Sequence, residues 1–186
     1  GVAWDQLLLN RERIDAVVQA DALRIGSLAL PSPETHDSSI ELLKHSRDDG
    51  MRFFDINLRG YHYSKELITE LLGYATVLKL NDAELLLLRD MFGITADSND
   101  ESCRWFLTEF DLDYVILTAG ADFSTIIARN GETSTLATPH VEVADTVGAG
   151  DSFSGTFTAK ILAGESLDQA HRSAVRSLYN SDAAHQ

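Results

Sequence analysis

The sequence predicts an α/β fold: a mostly parallel sheet with helices on both faces. Two observations carry that expectation. Short apolar runs alternate with longer segments whose apolar residues recur at helical spacing. The short runs are nearly continuous in hydrophobic residues, as in strands buried on both faces. With 186 residues, 44% of them hydrophobic, the chain suits one domain with a sizeable core.

The elements follow in order. Residues 10–20 have helical spacing, with Ile14, Val17 and Val18 on one face. Residues 23–30, "LRIGSLAL", form a short apolar run that stops at Pro31 and reads as a buried strand. A helix follows, with Ser32 as cap, Pro33 in the first turn and Gly50 at the stop. "MRFFDIN" (51–57) is the second strand. Ser64 caps a helix over 64–74, and "ATVLKLN" (75–81) is the third strand. Helices are expected over 82–93, ended by glycine, and over 99–110. "YVILTAG" (114–120) is the fourth strand. Residues 124–139 read as a hairpin turned at Asn130-Gly131. Two helices close the chain, from about Ala149 to Leu162 and from Ser166 onward. No repeat, low-complexity tract or linker interrupts the series, so residues 1–186 read as a single domain.

The formal net charge of -14 argues against a basic nucleic-acid footprint and against attraction to an anionic membrane. No apolar run approaches membrane-spanning length. Cys103 is the one cysteine, so no intrachain disulfide forms; in its helical segment it reads as a packed apolar residue rather than a nucleophile. The first residues lack the order of a signal peptide, and the cytoplasm is the expected compartment. The histidines show no metal-ligand spacing.

In open α/β sheets, ligands sit outside the carboxyl ends of the strands. Polar clusters fall there: "DINLR" after the second strand, "LND" after the third and "TAGAD" after the fourth. A glycine-rich turn, "VGAGD", precedes the next-to-last helix. Glycines let a backbone approach a ligand closely, and the free amides of a helix start attract anions. The amides of Gly148, Ala149, Gly150 and Asp151 could therefore surround a phosphate. An acid inside an anion hole makes sense as a general base that takes the proton of an attacking hydroxyl. Local physics leaves a second account open, in which the glycines make a tight turn and Asp151 favours the helix N-terminus. Asn81 likewise has a structural account as the cap of the following helix, with Glu84 in its first turn.

The longer string "DTVGAGDSFSGTF" resembles the C-terminal signature of the ribokinase-like carbohydrate kinases, the PfkB family. Asp145, Thr146, Gly148, Ala149, Gly150, Asp151, Phe153 and Gly155 fall on that pattern. "FFDINLRG", "VLKLNDAEL" and "VILTAGAD" resemble further family segments in the same order, the first of them especially like bacterial fructokinases. The resemblance covers nearly the whole chain from about Leu23. It implies a ribokinase-like fold and a cytoplasmic phosphotransferase that uses ATP and magnesium on a sugar hydroxyl. Asp151 is then the catalytic base, and Gly148, Ala149 and Gly150 form the anion hole. Thr118, Gly120 and Asn81 serve the nucleotide, Glu84 holds magnesium through water, and Arg59 reaches phosphate or substrate. Fructose is the favoured acceptor, with ribose and 2-keto-3-deoxygluconate close behind. Two other readings stand beside it: a non-catalytic nucleotide-binding or assembly module, and a nucleoside kinase of the same fold.

Two departures from the pattern stand out. The family continues the phosphate turn with glycine where this chain has Phe123, and it prefers a small residue where Thr156 stands. The family's N-terminal portion, with its diglycine sugar-binding element and β lid, has no counterpart in this sequence. Apolar strand edges are therefore expected to be exposed, with marginal stability or self-association of the isolated chain.

Overall fold

A computed structural model describes residues 9–26, 33–58, 63–120, 122–138 and 148–180. Seven helices and six strands are assigned in it: α1 (Arg11–Gln19), β1 (Ala22–Gly26), α2 (Pro33–His45), β2 (Met51–Asp55), α3 (Lys65–Tyr74), β3 (Val77–Asn81), α4 (Asp82–Phe92), α5 (Asn99–Glu109), β4 (Tyr114–Ala119), β5 (Phe123–Ala128), β6 (Thr133–Ala137), α6 (Ala149–Leu162) and α7 (Leu167–Asn180). The strands form one sheet in sequence order, β1-β2-β3-β4-β5-β6. β1 to β4 run parallel; β5 and β6 return antiparallel as the hairpin expected around Asn130-Gly131.

The strands are short. β2 ends at Asp55, two residues before the expected end: Ile56 donates the last ladder bond to the Lys79 carbonyl, and Asn57, at φ 42°, then leaves the extended conformation. β1 ends at Gly26, and the rest of the expected 23–30 strand lies outside the described residues.

Period-two alternation sorts the strand side chains into two cores. Phe54, Leu78, Leu80, Val115 and Leu117 face one side, where they meet Ile68, Leu72, Leu85, Leu88 and Phe106 from α3, α4 and α5. Phe53, Val77, Ile116 and Ile126 face the other, against Phe153 and Phe157 of α6 and Ala170 and Ala174 of α7. The expected core face of α6 at Phe153, Phe157 and Ile161 is therefore correct, with Ile161 only partly buried. Cys103 is packed in the first core, and burial pushes its thiol up to about 12, as expected of an inert residue.

On the α6–α7 side, the apolar alternation stops at the carboxyl ends of the parallel strands. Arg24 follows Ala22, Asp55 follows Phe53, Lys79 follows Val77 and Thr118 follows Ile116, each two residues on and so on the same face. The parallel register sets Asp55 directly opposite Lys79, while Arg24 lies two residues before Gly26, the partner of Asp55, and Thr118 lies opposite Asn81, two residues after Lys79. The N-terminus of α6 lies over this polar end.

Candidate active site

α6 begins unlike the other helices whose N-caps are described. Asn10, Ser64, Asn81 and Ser98 each accept a hydrogen bond from a first-turn amide of their helices. α6 starts at Gly148, with φ 90° and no side-chain cap bond. That φ lies in the left-handed region that glycine enters without strain. The first-turn amides of α6, at Gly148, Ala149 and Gly150, are thus left without a capping side chain at the positive end of the helix dipole. Asp151 stands in this first turn with its side chain 70% exposed.

Charge in the layer below is arranged in a line. Lys79 Nζ lies 2.9 Å from Asp55 Oδ2, and both residues are buried. The same Asp55 oxygen accepts from Arg24 Nη2 at 2.8 Å, and Arg24 Nη2 also donates to Asp151 Oδ1 at 2.6 Å. The side chains alternate in sign from β3 through β2 and β1 to α6: Lys79, Asp55, Arg24, Asp151. Burying Lys79 and Asp55 separately would be costly, and as an ion pair each compensates the other. Lys79 also lies close under the start of α6: a Cβ placed on Gly150 would lie 3.6 Å from its Nζ.

A cleft of about 190 Å³ opens beside this line, lined by Lys79, Thr118, Gly120, Phe123, Ser124 and Gly150 among others. Two of the expected nucleotide residues, Thr118 and Gly120, face it together with Gly150. Gly120 has φ 51°, and the Asp122 amide closes the turn onto the Ala119 carbonyl at 2.9 Å. Phe123 opens β5 opposite Ala119 without a positive φ, so the departure from glycine strains nothing and instead adds an aromatic wall to the cleft.

Asn81 and Glu84 do what the structural account foresaw. Asn81 Oδ1 accepts from the Glu84 amide at 2.8 Å, and Glu84 Oε2 accepts from the Asn81 amide at 2.8 Å, a capping box at the start of α4. Glu84 Oε1 accepts from the Leu58 amide at 2.9 Å, which pins the end of the segment after β2. Each Glu84 oxygen keeps a lone pair for a water, while no group of three or more His, Cys, Asp or Glu side chains assembles among the described residues. A magnesium ion held mainly by phosphates and water would need from this chain only such water-mediated contact with Glu84. Arg59, Asp145 and Thr146 lie outside the described residues.

Two site residues, Arg24 and Lys79, are missed by sequence reasoning. A lysine inside an otherwise apolar "VLKLN" strand was the available signal, because burying a lysine demands a partner. No helix among the described residues is long and apolar enough to cross a membrane.

Comparison with known proteins agrees with this geometry. The pfkB family carbohydrate kinase pattern matches residues 2–177. The aminoimidazole riboside kinase of Salmonella typhimurium is 30% identical over 135 residues, which is 69% of this chain and 40% of that protein. The apo adenosine kinase of Trypanosoma brucei brucei superposes with a TM-score of 0.79 at 16% identity, over 92% of this chain and 54% of that one. The aminoimidazole riboside kinase of Salmonella enterica, solved with aminoimidazole riboside and an ATP analog, gives a TM-score of 0.65 at 25% identity, over 84% of this chain and 53% of that one. The chain spans about half the length of the curated relatives it matches, 40% to 52% for three of them. A family pattern that runs through the sheet, the line of charges and the glycine-started helix leaves one conclusion: the chain belongs to the pfkB family of carbohydrate kinases.

Proposed function

We propose that this chain carries the phosphoryl-transfer machinery of an ATP-dependent kinase acting on a sugar hydroxyl. The observation that carries the reading is Asp151, an exposed carboxylate in the first turn of a helix that begins on Gly148 and has no side-chain cap. Asp151 takes the proton of the acceptor hydroxyl. The acceptor oxygen bonds to the γ-phosphorus as the bond from phosphorus to the ADP oxygen breaks, and that electron pair leaves with ADP. The amides of Gly148, Ala149 and Gly150 face the charge on the phosphoryl group in flight. Thr118 and Gly120 line the cleft for the nucleotide phosphates. Magnesium, when bound with the nucleotide, would offset phosphate charge, and Glu84 would hold a water toward it.

Fructose is the first acceptor to test, on the strength of "DINLR" and "LKLNDAEL". A riboside is the second, favoured by the matches to proteins named as aminoimidazole riboside and adenosine kinases. A binding or assembly module without turnover is the third.

The test is ADP formation from magnesium-ATP with fructose, ribose, 2-keto-3-deoxygluconate and adenosine in parallel. Acceptor-dependent turnover is expected. Asp151→Asn should lower it by about a hundred- to ten-thousand-fold while ATP still binds, since that is the usual contribution of a positioned base. Unchanged ADP release in that variant would remove Asp151 from the role. ATP binding without turnover on any acceptor would favour the binding module.

A further inference from the structure

We propose that Arg24 is a positioning residue for Asp151, held in place by the buried Asp55–Lys79 pair. The inference rests on the reading of Asp151 as the base. A carboxylate with 70% of its side chain exposed has several rotamers open to it, yet a base must wait at one place. Arg24 supplies the constraint, with Nη2 at 2.6 Å from Asp151 Oδ1.

An arginine that is itself 41% exposed would hold little by itself, because exposed ion pairs are weak. This one is anchored. The nitrogen that holds Asp151 also donates to Asp55 Oδ2 at 2.8 Å, and Asp55 is 9% exposed at its side chain. Lys79 Nζ, 11% exposed, meets the same oxygen at 2.9 Å from the neighbouring strand. The base is thereby tied to three adjacent strands of the sheet rather than to its own helix alone.

The arrangement also has a consequence in charge. Lys79, Asp55, Arg24 and Asp151 sum to zero while Asp151 is ionised. Once Asp151 holds the acceptor's proton, the group carries one positive charge beside Gly150. That charge arises as the phosphoryl group moves, so it favours the transition state over the ground state. Arg24 positions the base before transfer and loses its counter-charge during it.

The experiment uses the whole chain with Arg24→Gln and Arg24→Lys. Expected is a fall in kcat of about ten- to a hundred-fold for Arg24→Gln, the scale of a misplaced catalytic group, with the Kd for a non-hydrolysable ATP analogue unchanged. Arg24→Lys should regain most of the loss, because a cation still reaches between the two carboxylates. Unchanged kcat in Arg24→Gln overturns the proposal. So does a parallel loss of kcat and analogue binding in both variants, which is the mark of a damaged fold. A double-mutant cycle of Arg24→Gln and Asp151→Asn in urea unfolding needs no turnover. Coupling between the two sites sustains the contact, and strict additivity overturns it. If the unaltered chain turns over no acceptor, the kinase reading of this chain fails on its own, and the cycle still decides the fate of Arg24.

Discussion

Gly148 is where a single residue decides the most. At φ 90° its conformation suits glycine, and any Cβ there strains the backbone although the space around it is open. Gly148→Ala is expected to cost about 1–2 kcal/mol, the left-handed penalty for an L-residue, and to weaken nucleotide binding by turning the α6 amides away. Urea unfolding and ADP titration check both parts; full stability with full affinity would show that the loop does not depend on this angle. The glycine-started helix with Asp151 in its first turn was legible in the sequence because it is local: four consecutive residues contain it. Arg24 and Lys79 were not, because their meaning lies in register. Only the pairing of Asp55 with Lys79, and the neighbouring place of β1, bring four residues from distant segments into one line. Asn81 and Glu84 show the opposite case. Their spacing announced the helix cap; the structure adds the reciprocal bond of Glu84 and its hold on the Leu58 amide.

Among the elements, α7 depends on its surroundings through His171, which is fully buried between the hairpin and α6. Its Nε2 lies 2.8 Å from Ser124 Oγ, its Nδ1 lies 2.9 Å from Ser134 Oγ, and the ring of Phe153 approaches edge-on. Two hydroxyls can serve one donor and one acceptor nitrogen, so the pocket suits the neutral imidazole. Burial lowers its pKa to about 4 against the ordinary 6.5; Asp168 opposes that shift and Arg172 adds to it. Between those values the unfolded chain binds the proton and the folded chain does not. Stability is therefore complete near neutral pH and falls as pH drops from 6.5 toward 4. Loss on the order of 2–3 kcal/mol is expected across that window, with a flatter slope in His171→Gln, read from urea midpoints. Equal slopes in the two proteins would remove His171 as the source. The helix itself was plain from its sequence spacing, but the pairing of its histidine with β5 and β6 depends on how the hairpin folds over it.

The whole molecule carries an unresolved tension between its sheet and its charge. In the described residues, β1 stands at one edge of the sheet, paired only with β2. Leu23 and Ile25 of that strand are half-buried against the core of α3 to α5. An edge with open backbone groups and apolar side chains is a template for another strand. Against this stands a net charge of -14, which makes two copies repel each other. The two effects respond differently to salt. Repulsion between exposed charges is screened within about 8–10 Å at physiological ionic strength, whereas strand pairing and apolar burial are not weakened by salt. Self-association is therefore expected to strengthen as sodium chloride rises, the reverse of an interface held by ion pairs. Sedimentation velocity at several protein and salt concentrations reads this directly. Ile25→Lys, a charge placed on the edge strand, should return the chain toward monomer at every salt concentration. A monomer throughout would mean that the β1 edge is already covered, while association that weakens with salt would place the contact on the charged surface instead.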